Sequence, residues 1–242
     1  MPLVLLLLSI EPINTIELDR TYNTIKIYED RIYVAPFTGK SIFVLDDSSK
    51  VEPIAFTDDV NYRILDFSVT PFAIYLNNGT TLEKYYTASG IKEKIYVAKD
   101  ISSFIITPGE EVIIYDRYKH ELVFLDFIFN VRLLISDLNI KDLYFADDIL
   151  YVLTNSKLHL YDEHGNVIQE MAIQKKCTNV IVKDSTIILY SIDEKYLYKR
   201  NREWTKIELT PGIRDIVLTS NSLVILDENG TTLYIYSLSR ID

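Results

Sequence analysis

Apolar residues fall into six short runs along the chain, each bounded by polar, turn-forming residues. The runs are 31–38 (RIYVAPFT), 71–78 (PFAIYLNN), 110–117 (EEVIIYDR), 149–156 (ILYVLTNS), 186–193 (TIILYSID) and 222–229 (SLVILDEN), and their first residues are 40, 39, 39, 37 and 36 positions apart. Before each lies an alternating segment that opens on a short polar residue: 23–30, 64–70, 102–109, 141–148, 178–185 and 214–221. After each comes a third, at 41–48, 81–88, 121–128, 157–164, 195–202 and 232–239. A fourth follows in five of the repeats, at 51–56, 92–97, 131–136, 167–173 and 203–209. Segments of this length between Asp/Asn/Ser/Gly clusters predict a meander of β-hairpins. Pairs such as Ile113-Ile114 and Ile187-Ile188 break the alternation, which predicts strands covered on both faces. Asn78-Gly79 and Asn229-Gly230 supply the positive φ that two-residue hairpins need. No stretch holds a 3.6-residue period with caps, so no helix is expected.

The sixth repeat lacks its fourth strand. Residues 11–18 (EPINTIEL) resemble the fourth segments 51–56 (VEPIAF) and 203–209 (EWTKIEL), and they directly precede the first repeat. Pairing 11–18 with 232–239 would join both ends of the chain in one sheet and close a ring. An open solenoid would want polar capping repeats instead. The expected fold is therefore all-β: six four-stranded antiparallel blades around a channel, closed by the N-terminal strand. Residues 11–242 form that single domain.

Composition narrows the function without choosing one. The chain of 242 residues is 48% hydrophobic and rich in Tyr (18) and Phe (10), as pleated, half-buried strands require. A net charge of −10 with no basic stripe argues against nucleic acid. The single cysteine, Cys177, allows no intrachain disulfide or CxxC metal knuckle and reads as a small core residue. The run 3–8 (LVLLLL) is too short to span a membrane. Residues 1–10 are either the end of a signal peptide whose start is missing or an apolar extension packed on the fold. The first is preferred, and with it an extracytoplasmic location; a cytoplasmic one is the alternative.

The residues 140–142 (IKD) and 213–215 (IRD) open inner strands, and 160–167 (LYDEHGNV) form a third-strand turn. In these segments the chain resembles the six-bladed β-propeller superfamily, the NHL-repeat and TolB-like group in particular, over nearly all of 11–242. No Trp-Asp dipeptide, kelch glycine pair or full NHL consensus is present. The resemblance implies an architecture shared by lactonases, dehydrogenases, cyclases, receptors and scaffolds, so it does not select an activity.

Aligned inner strands place Thr24, Asp66, Ser103, Asp142, Asn179 and Asp215 at one position near a channel mouth. Such a ring could hold Ca²⁺ through Asp66, Asp142 and Asp215. Equally, short polar side chains there bond nearby backbone N–H groups and build the fold. Repetition in every blade favours the second reading. Lys141 and Arg214 sit one position earlier, as does Arg63 within one residue, and would pair with the acids or face an anionic ligand. His120, His159 and His164 show no zinc spacing, and no G-x-S-x-G elbow or phosphate loop exists. Trp204 opens an outer strand, where it would meet a partner or pack on the next blade. The sequons at Asn78 and Asn229 already serve as turns. The expected function is a non-catalytic binding or scaffolding propeller for a protein or small ligand, acting as a monomer. The alternative is a Ca²⁺-dependent lactonase-type hydrolase built on those three carboxylates.

Overall fold

The computed structural model describes residues 7–9, 11–45, 51–173, 177–184, 186–192, 194–200 and 204–238. They form a six-bladed propeller of antiparallel blades, with no helix among the described residues. The inner strands of blades 1 to 6 are Thr24–Tyr28, Asp66–Val69, Ile101–Ile106, Ile140–Ala146, Asn179–Lys183 and Ile213–Leu218. Each contacts the inner strands of the two neighbouring blades, and blade 6 meets blade 1, so the ring is closed.

Closure is made by Asn14–Glu17, which runs antiparallel to Thr232–Ser237 in the register Asn14↔Ile235 to Glu17↔Thr232. It is the fourth strand that the sixth repeat lacks. Residues further along seal the same seam: Leu18 N–H donates to Thr231 O at 2.8 Å and Tyr22 N–H to Gly230 O at 2.7 Å. Ahead of the closing strand, Leu7–Ser9 adds a fifth, parallel strand outside Trp204–Glu208 of blade 5.

The core is six cores, one per seam between blades. The second strand of blade 5, Thr186–Tyr190, shows how the sequence builds them. Ile187 and Leu189 pack toward blade 4 with Tyr151, Leu153 and Leu158, whereas Ile188 and Tyr190 pack toward blade 6 with Ile216, Leu223 and Ile225. Period-2 alternation is intact, but both faces meet hydrocarbon, so the run reads as unbroken apolar sequence. Cys177 and Trp204 both join the blade 4–5 core, and Arg200 covers the indole at 5.6 Å. Burial pushes the Cys177 thiol up to about 12, which leaves it protonated and inert.

Turn chemistry departs from expectation in one respect. Gly79 (φ 100°) and Gly230 (φ 72°) do adopt positive φ, but in loops longer than two residues. There Asn77 Oδ1 accepts from Gly79 N–H, and Asp227 Oδ1 from Thr231 and Thr232 N–H. Two of the two-residue hairpins, Glu29-Asp30 and Asp147-Asp148, instead have all four residues at φ between 49° and 58°. Asp tolerates the left-handed region better than most side chains, so an acidic pair can replace Asn-Gly.

Candidate functional site at the channel mouth

Inner strands begin at one mouth of the channel, which therefore gathers the aligned polar positions. In blades 3, 4 and 6 the register slips by one residue there: Ile101/Ser103, Ile140/Asp142 and Ile213/Asp215. Each slip is a β-bulge that leaves Ser102, Lys141 and Arg214 without a partner on the second strand and re-aims the residue that follows.

Asp215 and Asp142 use that aim on the next blade. Asp215 Oδ2 accepts from Ile25 N–H at 2.9 Å and from Thr24 Oγ1 at 2.7 Å, while its Oδ1 accepts from Tyr190 Oη at 3.1 Å. Asp142 Oδ2 accepts from Val180 N–H at 2.9 Å. The two carboxylates occupy equivalent places and latch equivalent backbone groups of blades 1 and 5. Asn179 Oδ1 is engaged locally by Thr178 Oγ1 at 2.7 Å. Thr24 and Ser103 are buried.

Asp66 does something different: its Oδ1 lies 2.8 Å from the Nζ of Lys26, on blade 1. Burial by itself would lower the Lys26 ammonium, but Asp66, Asp215 and Asp142 outweigh it and hold the group above its ordinary value. Asp66 thus pairs with Lys26, while the charges of Asp215 and Asp142 act on it from further away. Burial raises Asp66 in spite of that partner. For Asp142, burial pushes the carboxyl up to about 7 against the backbone hydrogen bonds from Val180 and Leu143. Tyr190, buried and facing Asp215 and Asp142, is driven well above its usual range. Among the described residues no group of three or more His, Cys, Asp or Glu is placed to hold a metal ion. The counter-charge at Asp66 is an ammonium supplied by the chain itself.

Lys26 and Tyr190 are the members that the sequence reading passed over. A signal for Lys26 exists. Two residues past the aligned polar position the blades carry Lys26, Ser68, Ile105, Tyr144, Ile181 and Val217, and Lys26 is the single charge among them.

The basic residues part from expectation. Arg214 pairs with no acid among the described residues: its Nε donates to Glu228 O at 2.9 Å and its Nη1 to Asn23 Oδ1 at 3.3 Å, bridging the blade 6–1 seam. Arg63 stacks on Phe37, with Cζ 5.0 Å from the ring centroid, three residues ahead of Asp66. Lys141 is exposed and forms no ion pair among the described residues. It lines a cleft of about 500 Å³ with Thr178, Asn179, Ser191, Ile192 and Glu194. The histidines have partners outside the acid ring: His159 Nδ1 is 3.0 Å from Glu170 Oε1, and His120 contacts Tyr115 Oη at 3.4 Å.

No protein-family model matches the chain, and no curated protein does either. Solved structures do. Virginiamycin B lyase from Staphylococcus aureus superposes with a TM-score of 0.63 at 11% identity, over 93% of this chain and 87% of that one. BBS1N, solved in complex with ARL6DN, gives 0.61 at 12% identity, covering 90% and 77%. BamB from Moraxella catarrhalis gives 0.56 at 14%, covering 88% and 71%. At such identities the likeness reaches the architecture alone: the chain is a six-bladed β-propeller.

Proposed function

We propose that this propeller is a binding module that docks a partner protein on the face opposite the carboxylates. The observation that carries the proposal is the exposure of large apolar side chains on hairpin tips of blades 2 and 3. Phe72 is 68% exposed, Ile91 62%, Phe127 66% and Ile128 60%. All four lie in connections that follow inner or third strands, hence at the mouth away from Asp66, Asp142 and Asp215. Lone exposed apolar residues are ordinary, whereas concentrated ones mark interaction sites.

Here the tips are tied together. Thr87 N–H donates to Phe72 O at 3.2 Å, joining the two tips of blade 2. The Lys84 ammonium sits 4.9 Å from the Tyr86 ring of blade 2 and 5.4 Å from the Phe129 ring of blade 3, and is paired with Glu110 at 3.0 Å. Aromatic and aliphatic anchors on a rigid support suit a protein interface. The polar mouth, by contrast, spends its carboxylates on blade-to-blade hydrogen bonds and on Lys26. The BBS1N–ARL6DN complex supports the reading as an instance of this architecture receiving a partner. The test is retrieval from a native extract with the wild-type protein and with a Phe72→Ser/Phe127→Ser variant. The wild type should retain a stoichiometric partner that the variant loses at an unchanged melting temperature. Equal retention by both overturns the proposal.

A further inference from the structure

The bulge positions of blades 4 and 6 are equivalent, yet the two seams beside them end differently. In blade 6, Arg214 reaches across to Asn23, the residue just before the aligned position of blade 1, and donates to its Oδ1 at 3.3 Å. In blade 4 the equivalent cation is Lys141, and the residue equivalent to Asn23 is Thr178. Thr178 turns its hydroxyl to Asn179 instead, at 2.7 Å. Where Arg214 bridges the blade 6–1 seam, the blade 4–5 seam holds a cleft of about 500 Å³. The cleft is wide open to solvent, so a ligand there would be held by its polar ends rather than enclosed.

The lining has a definite chemistry. Lys141 supplies a positive charge and Glu194 a negative one, and the two do not close into an ion pair within 4.0 Å. Thr178, Asn179 and Ser191 add hydroxyl and amide groups, and Ile192, 50% exposed, gives an apolar rim. A carboxylate on the ligand would meet the Lys141 ammonium, and an ammonium on the ligand would meet Glu194. Charge-assisted contacts of this kind are the strong ones, and neither Lys141 nor Glu194 has an ionic partner among the described residues. The sixfold pattern also argues for function here. Groups that repeat with the blades serve the fold, and this cleft is where one seam departs from its equivalent.

We propose that the blade 4–5 cleft binds a small zwitterion of peptide type, with its carboxylate on Lys141 and its ammonium on Glu194. The cleft and the apolar tips lie at opposite mouths, so this proposal stands or falls separately from the docking reading.

The experiment is calorimetric titration of the full chain with the tripeptide Ala-Leu-Ala, its N-acetylated form and its C-amidated form. The unblocked peptide should bind, and each blocked form should bind about tenfold more weakly, the loss expected for one charged contact. Lys141→Met should abolish the difference between acid and amide while preserving that between free and acetylated amine, and Glu194→Gln should do the reverse. Lys141 is exposed, so its replacement leaves the fold intact, which circular dichroism verifies. No binding at millimolar peptide overturns the proposal, as does binding that neither substitution alters or a preference for the amidated form.

Discussion

The carboxylate of Asp215 in blade 6 receives the backbone N–H of Ile25 in blade 1 at 2.9 Å, across the seam where the ring closes. A side chain at one end of the repeat array thereby completes the backbone of the other. Thr24 and Tyr190 bond the same carboxylate. Replacing Asp215 by Ala strands a backbone donor, a hydroxyl and a buried phenol. The expected cost is about 2–4 kcal/mol, since each buried donor left without a partner costs roughly 1–3 kcal/mol. Urea unfolding should show the midpoint falling with little change in slope. An unchanged midpoint would remove Asp215 from ring closure.

Asp142 predicts a pH dependence of definite sign. Its carboxyl is raised from 3.8 to about 7, with burial as the leading cause. Below about pH 4 both folded and unfolded chains carry the proton there, and this residue then imposes no penalty. Between about pH 4 and 7 the unfolded chain releases the proton while the folded one keeps it, so rising pH takes stability away. Above about pH 7 the loss is complete. Asp142→Asn keeps an acceptor for Val180 and does not titrate. Relative to wild type it should gain about 1–3 kcal/mol from pH 4 to pH 8, measured by denaturant melts. A flat difference across that window contradicts the assignment.

Gly230 and Gly90 have nearly the same positive φ, 72° and 70°, but different surroundings. A Cβ on Gly230 would stand 2.0 Å from Tyr22 O, whereas one on Gly90 meets nothing closer than Tyr85 Oη at 3.9 Å. Gly90→Ala should cost only the backbone strain, on the order of 1 kcal/mol. Gly230→Ala must also push apart the Tyr22–Gly230 hydrogen bond that seals the ring. Its cost should be at least about 2 kcal/mol greater. Paired thermal melts decide it, and equal losses would mean that the seam yields freely.

Lys84 is almost fully buried, among Tyr75, Tyr86 and Phe129, with Glu110 as its ionic partner. Lys84→Met leaves Glu110 facing an apolar wall and should destabilise by about 3–5 kcal/mol. Adding Glu110→Gln should recover at least half of that loss, because the uncompensated charge is gone. Strict additivity in the double-mutant cycle would show that the pair is not coupled.

Millimolar calcium should leave the melting temperature where it is, because Lys26 already neutralises Asp66 and the other two acids hold backbone N–H groups. A rise that Asp142→Ala or Asp215→Ala abolishes would instead establish a calcium site.

The six four-stranded blades, their order and the closing role of 11–18 were legible in the residues; the added strand Leu7–Ser9 on blade 5 was not. Two-sided burial turns every second strand into an apolar run, and such runs repeat visibly. The aligned polar positions were legible as a set, together with their structural use. Their individual partners were not. Whether an Asp reaches a backbone N–H, as Asp142 does, or an ammonium, as Asp66 does, depends on the neighbouring blade across the channel. Arg214 misled for a related reason: its place beside Asp215 suggested pairing with an acid, but its guanidinium bonds Asn23 Oδ1 and the Glu228 carbonyl instead. The cleft between blades 4 and 5 is a volume bounded by residues from two blades, and no linear pattern encodes a volume.

Closing the ring with the first strand has a cost in time. Asn14–Glu17 leaves the ribosome before its partner Thr232–Ser237, which follows roughly two hundred residues later. At about 5–20 residues per second, that strand waits ten seconds or more as an unpaired edge. Five blades can assemble on their own hairpins in the meantime, but the sixth cannot. The ring therefore cannot close until the last strand, Thr232–Ser237, is made.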